Sequence, residues 1–284
     1  MAMLRVIIYM VLVVSMVSCQ ENIDFDLNTE KARLVVDGGI TTEKKAHVIK
    51  LTETASFYEL EPAPMAEGAN VVLSDGSTTW TLIEREKGMY YTDSVQGVVG
   101  KTYRLSISYK GETYVASEHL FPVTPIDTIF VLKEEGFDFR ENVPKDFINI
   151  YLKATETKGL GDYYLWKFRV LKPDTAYWKN MTEKYRDWVY SNDEFVDGNS
   201  PEQGWGIFGG YDEKEIPSGS IVELEMYSTT KEYYNFLDAL GKQAFRGGLF
   251  DGPPANVPSN VSNGALGYFW ASDISKSQSV FKDE

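Results

Sequence analysis

Tyr103, Leu105, Ile107 and Tyr109 alternate with Arg104, Ser106 and Ser108. Only a β-strand with one face buried has that period of two. Lys110-Gly111-Glu112 then turns the chain back into Thr113-Tyr114-Val115-Ala116. Short apolar runs of the same kind recur from Ala32 to about Pro122. Leu34-Val35-Val36 opens one strand and His47 to Leu51 reads as the next. Val71 to Leu73 and Trp80 to Leu82 flank Ser74-Asp75-Gly76-Ser77, an Asp-Gly hairpin signal. Strands at this spacing predict an immunoglobulin-like β-sandwich over residues 32–122. The chain contains one Cys, so no internal disulfide is available and packing alone must hold that core.

Phe121-Pro122-Val123-Thr124-Pro125 interrupts the pattern with two prolines, which remove ladder donors and favour an extended linker. A domain boundary is expected there. Residues 123–284 read as a second β-rich domain with one amphipathic helix. Phe147 to Lys153, Tyr163 to Val170 and Val222 to Met226 are its clearest strands. Thr229 and Glu232 have capping-box spacing. Tyr233, Phe236, Leu237, Leu240 and Ala244 follow as one apolar stripe, predicting a helix near 230–245 ended by Gly247-Gly248. Trp188 to Pro217, rich in Gly, Asp, Asn and aromatics, reads as long loops. Leu266, Tyr268 and Trp270 lie in a buried strand expected to close the second domain's core, or else in a rigid loop that docks on a partner. The fold class is therefore mainly β.

The start of the chain predicts where the protein resides. Arg5 is followed by Val6 to Val17, twelve residues without a charge, too few for a membrane-spanning helix of about 20 residues. A charged start, a short apolar run and Met16-Val17-Ser18-Cys19 describe an export signal over residues 1–18. The exit resembles the lipobox of bacterial lipoproteins, which makes Cys19 the lipid attachment site; an ordinary cleaved signal is the alternative. Met16 and Val17 depart from the usual Leu and small residue. Residues 19–31, with Glu21, Asp24 and Asp26, then form a lipidated acidic tether, similar to the export tag of surface lipoproteins in Bacteroidota.

Further pieces carry a wider resemblance. They are Leu34-Val35-Val36-Asp37-Gly38, Gly68-Ala69-Asn70-Val71, Gly100-Lys101-Thr102-Tyr103, Pro122 to Asp127, the helix after Ser228-Thr229, and Pro253-Pro254-Ala255 with Leu266-Gly267-Tyr268-Phe269. In that order they resemble the Bacteroidota outer-membrane lipoprotein family catalogued as domain of unknown function 4249. The resemblance implies outer-membrane lipid held through N-terminal acyl chains, a surface-facing location, and a TonB-dependent transporter as partner. It brings no catalytic residues.

The residues themselves narrow the function. A formal net charge of -14 argues against nucleic acid, whose phosphates need clustered Lys and Arg. Two His and one Cys leave no His/Cys metal cluster, and no cofactor motif is visible. His47 and His119 sit in strand-like segments and suggest hydrogen-bonded rather than catalytic side chains. Asp193, Glu194, Asp197 and Asn199 around Gly198 lack calcium-loop spacing. Trp178, Trp188 and Trp205, with Tyr177, Tyr185 and Tyr190, are the candidate recognition aromatics, with loop packing as the alternative. Asp93-Ser94-Val95, Asp127-Thr128-Ile129 and Asp174-Thr175-Ala176 resemble O-glycosylation acceptors. Together with the transporter partner that the resemblance implies, the expected function is non-catalytic binding beside that transporter in nutrient uptake. The alternatives are a structural or adhesive surface lipoprotein and a hydrolase using a carboxylate pair.

Overall fold

The protein is described by a computed structural model, in which residues 31–55, 62–138, 143–155, 159, 161–172, 187–194, 198, 202–244 and 256–283 are described. The alternating runs of the first half form seven strands: β1 (Leu34–Thr41), β2 (Lys45–Glu53), β3 (Asn70–Ser74), β4 (Thr79–Glu86), β5 (Met89–Val95), β6 (Thr102–Tyr109) and β7 (Glu112–His119). All pair antiparallel, in the order β1-β2-β5-β4-β3-β6-β7. Lys110 and Gly111 both have positive φ (49° and 80°), the twist that suits a two-residue hairpin. Tyr103, Leu105 and Ile107 are buried and meet Val36, Leu51 and Leu73 in one core. Each such side chain contributes roughly 1.5–3 kcal/mol on burial, so the core holds without a disulfide.

The eighth strand of this sheet comes from the far end of the chain. β14 (Leu266–Ser272) lies parallel to β1, with Val35 opposite Leu266 and Thr41 opposite Ser272. Phe269 and Ala271 are buried in the first core. The expectation that this motif closes the second domain's core holds for one face only: Phe269 and Ala271 enter the first core, while Tyr268 and Trp270 pack with Leu165, Tyr227, Tyr233 and Leu237. Its apolar residues on both faces mark a doubly buried strand but do not name the partner. Residues 120–125 join β7 to β8 (Ile126–Asp138), and β14 returns across that linker to the first sheet; residues Ala32–Glu284 form one compact unit.

Residues 256–263 cover the free edge of β14. Asn260 accepts from Phe269 N (3.0 Å) and donates to Phe269 O (2.7 Å), so one amide side chain stands in for a neighbouring strand. Ser262 N donates to Val115 O, and Val115 N to Ser262 Oγ, both at 2.8 Å, which ties this edge to β7. Asn260 also donates to Glu118, which is buried. Burial pushes the Glu118 carboxyl above its usual range, against hydrogen bonds from Thr230 and Tyr268 that favour the ionised form. A folded-state value above the unfolded one gives stability that is present at low pH and lost as pH rises through the folded value. Glu118→Gln is therefore expected to gain stability relative to wild type as pH is raised from about 4 to about 8. Urea midpoints across that range measure it; a difference that stays flat refutes it.

The remaining strands form two smaller sheets. β8 and β9 (Val143–Ala154) make a long hairpin flanked by β12 (Trp205–Tyr211). β10 (Tyr163–Leu171) lies between β11 (Asp187–Asn192) and β13 (Ile221–Thr229), and β15 (Ile274–Val280) pairs with β13. β11 and β12 correct the expectation of loops from Trp188 to Pro217. Gly206, Gly209 and Gly210 read as loop residues, yet β12 pairs with β9 through two register shifts. One face of β10 and β13 is apolar; the other mixes Leu165 and Tyr227 with Lys167, Arg169, Glu223 and Glu225. Tyr164, Trp166, Phe168, Val222, Leu224 and Met226 pack against Ile148, Ile150 and Leu152 of β9. Leu165 and Tyr227 point the other way, against α1 (Lys231–Ala244) and Tyr268 of β14. Thr230 caps α1, accepting from Tyr233 N at 3.1 Å; the cap lies one residue after the expected Thr229. Tyr233 and Leu237 are buried, whereas Leu240 is exposed. The coarse fold class, mainly β with one helix among the described residues, is as the sequence predicts.

Candidate functional site

A cleft of about 400 Å³ opens between the two smaller sheets. β10 supplies Tyr164 and Trp166 to one wall and β13 supplies Met226. β9 and β12 supply Leu152, Ala154 and Trp205 to the other. The wall on the β10 side follows from strand periodicity. Tyr164 and Trp166 are two residues apart on one face, with ring centroids 5.6 Å apart. Trp205 is held opposite Leu152 in the β12–β9 register. Gly204, just before it, has φ +75°, and a Cβ there would lie 2.7 Å from Leu152 O, so glycine is required for the chain to enter β12 at that point.

The polar groups of the cleft are few. Thr124 Oγ1 and Tyr164 Oη bond each other at 3.1 Å. Ser191 Oγ donates to Asn192 O, and Asn192 Oδ1 accepts from Glu194 N. Trp166 is 7% exposed, and its indole Nε1 is buried without a hydrogen-bond partner. A buried unpaired donor of this kind costs about 1–3 kcal/mol. No Asp, Glu, Lys, Arg, His or Cys is among the described residues lining the cleft.

The sequence-predicted aromatics divide. Trp205 lines the cleft. Trp188 is opposite Lys167 in register and on the other face of the sheet. It is 43% exposed and packs on Tyr190, ring to ring at 5.8 Å. Tyr190 in turn donates to Asp238 of α1 at 3.4 Å. Trp178, Tyr177 and Tyr185 lie outside the described residues, as does Cys19. Trp166 and Tyr164 were legible as strand residues but not as cleft residues. Tyr164, Trp166 and Phe168 alternate with Lys167 and Arg169, and that strand period is the trace they leave in the sequence.

Both histidines are placed away from the cleft. His47 is buried, and its Nε2 lies 3.0 Å from Val95 O; burial lowers its pKa. His119 Nδ1 bonds Thr102 Oγ1 at 3.0 Å. Asp193 is buried and accepts from Gly161 N at 2.8 Å, a loop-pinning contact; Asp197 and Asn199 lie outside the described residues. No group of His, Cys, Asp and Glu able to hold a metal occurs among the described residues. Of the three glycosylation-like tripeptides, Ser94 is exposed on β5 and Thr128 is half-buried on β8, while residues 174–176 lie outside the described residues.

The chain matches the family described as Domain of unknown function (DUF4249) over residues 20–278. It belongs to that family. No match was found among curated proteins. The DUF4249 match spans the large sheet, the cleft and α1, so the site lies within the matched residues. Among the described residues no helix is long and apolar enough to cross a membrane.

Proposed function

We propose that this DUF4249 protein is a surface-exposed outer-membrane lipoprotein, anchored through acyl chains on Cys19. In this reading it binds a ligand without catalysis and serves as an accessory partner of a TonB-dependent transporter in nutrient uptake. The aromatic cleft is the observation that carries the binding part. Its volume of about 400 Å³ falls within the range of small-molecule sites. Its described lining residues offer none of the carboxylate, imidazole, thiol or ammonium groups on which acid–base and covalent catalysis draw. The anchor rests on the Met16 to Cys19 exit and on the absence of any other thiol from the sequence. Tethering would raise the local concentration of a captured ligand beside a neighbouring barrel without any new contact. An immunoglobulin-like character for residues 32–122 belongs to the same reading. A rigid antiparallel body packed without a disulfide is a scaffold suited to carrying a binding site.

Affinity purification of the full chain from its native membranes is expected to recover a transporter barrel, and the N-terminal peptide is expected to carry a diacylglyceryl group on Cys19. A clean preparation without a barrel overturns the partnership, and an unmodified Cys19 overturns the anchor. A structural or adhesive role is the second reading. It is favoured by Phe130, Leu132 and Phe137, large apolar side chains exposed on β8. Deleting the protein would then impair attachment and leave uptake intact.

A further inference from the structure

A sheet edge is a row of unpaired backbone donors and acceptors, which a fold has to cover or blunt. Three sheets give six edges among the described residues, and five are managed in this way. Asn260 caps β14, and Ser262 is bonded to β7. β8 and β15 lie side by side, with Ile126 N donating to Ser275 Oγ at 2.9 Å and Lys133 reaching Asp283 at 3.1 Å. β12 is broken by two register shifts. β11 has none of these devices. It runs through six consecutive pairs with β10 without a shift, and among the described residues no strand lies beyond it. It holds no Pro, Lys or Arg. Trp188 is 43% and Val189 37% exposed, one on each face of the strand.

The strand's own residues say what fits there. The chain carries a net charge of -14, so two copies repel over most of their surfaces, yet Trp188 to Asn192 holds no charge. Two copies of one strand pair antiparallel about a two-fold axis normal to the sheet, which sets one residue opposite itself. Centred on Val189, that register puts Val189 opposite Val189 of the second copy, Trp188 opposite Tyr190, and Asp187 opposite Ser191. β-branched and aromatic pairs of this kind stabilise a sheet. Trp188 and Tyr190 already pack within one copy, ring to ring at 5.8 Å, so four rings gather on one face of the seam. The two Asp187 positions fall at opposite ends of it. A register centred on Tyr190 would set Trp188 against Asn192 and Val189 against Ser191, apolar against polar.

We propose that β11 is a self-recognition edge, through which two copies of this chain pair antiparallel in the register centred on Val189. The inference goes beyond the binding role above and does not depend on it. It has a consequence for the cleft. Val189 and Ser191 lie opposite Trp166 and Tyr164 on one face of the sheet, and all four line the cleft. The two-fold axis keeps that face common to both copies, so the two clefts open side by side. One strand pair buries less than a standard interface, so the dimer forms and dissociates with concentration.

Sedimentation equilibrium of the full chain in density-matched detergent, from about 1 to about 500 µM, brackets the affinities of small interfaces. The mean mass should rise from that of the monomer toward twice that value. Val189→Lys sets two ammonium groups opposite each other and should weaken association at least about tenfold. Val280→Lys, on β15 and 49% exposed, should dimerise like wild type. Cross-linking reads the register even where a variant folds less well. In a Cys19→Ser chain, Val189→Cys places two thiols directly opposite, with Cα atoms inside the range of about 4.4–6.8 Å that a disulfide spans, so mild oxidation should yield a covalent dimer. Trp188→Cys places its two thiols two residues out of step, with Cα atoms roughly 8 Å apart, and should cross-link far less. A chain that stays monomeric at the highest concentration leaves the edge to a strand of another protein and overturns the proposal. So does a dimer that survives Val189→Lys, or a Trp188→Cys chain that cross-links as readily as Val189→Cys.

Discussion

Gly267→Ala is expected to destabilise the protein by about 3–5 kcal/mol, the sum of a forced left-handed residue and a severe overpacking contact. Gly267 has φ +82°, where side chains are strained, and a Cβ would stand 2.0 Å from Val36 O and 2.9 Å from Val36 N. Those are backbone atoms of β1, and they cannot rotate away. Gly39 mirrors it, with a Cβ position 2.1 Å from Trp270 O. The parallel β1–β14 pair is thus built on two glycines, one on each strand, that let the backbones approach. Separating the pair would uncover Phe269, which is fully buried, and would open the large sheet where the end of the chain closes it. Gly264→Ala is the control. Gly264 has φ +71° but nothing within 4 Å of a Cβ, so it should cost only about 1–2 kcal/mol of backbone strain. Chemical denaturation of both variants measures the difference; equal losses would refute the close-approach account.

These glycines also show where sequence reading reached and where it stopped. Gly267 and Gly38 stand in fragments that carry the family resemblance, and Leu266, Tyr268 and Trp270 were legible as a buried strand. The partner strand was not, because a parallel pairing between residues about 230 apart leaves no local trace. β6 and β7 were legible because one face is polar, so their period shows. β8 was not: Ile129 and Val131 are buried while Phe130 and Leu132 are exposed, and when both faces are apolar the alternation vanishes. β5 was hidden by Thr92, a buried polar residue whose hydroxyl accepts from His47 N at 2.9 Å. In the cleft, Trp205 was foreseen from composition. Trp166 was not, since an unpaired indole donor is a property of neighbours that only the folded chain assembles. The helix was legible nearly to the residue because its cap and stripe are both local signals.

Lys276→Met is the second change expected to be large. Lys276 on β15 bonds Glu225 of β13 at 2.5 Å and Glu43, in the β1–β2 turn, at 2.7 Å, while Lys45 reaches Glu43 from the other side. Glu225 is buried, its side chain only 3% exposed, and Tyr227 Oη also donates to it. Lys167 lies near, its ammonium 4.9 Å from the Tyr227 ring and 5.8 Å from that of Trp270. Removing Lys276 takes one ammonium away from a carboxylate that burial has largely cut off from water. Breaking a buried pair from one side typically costs about 3–5 kcal/mol; Tyr227 and the partial exposure of Lys276 (42%) place this case at the lower end, about 2–3 kcal/mol. Adding Glu225→Gln should restore more than half of the loss, because a neutral amide keeps the hydrogen-bond geometry without a buried charge. The acid side gives an independent check. Burial would raise the Glu43 carboxyl, but hydrogen bonds from Lys276 and Lys45 outweigh it and hold the value below the usual range. Such a group stabilises above the unfolded carboxylate range and loses that contribution as pH falls through the folded value. Wild type should therefore lose more stability on acidification than Lys276→Met does, narrowing the gap between them. Urea midpoints at neutral and acid pH read both effects; a gap that widens on acidification, or a double variant no more stable than the single, would mean the lysine is not what compensates the buried carboxylate.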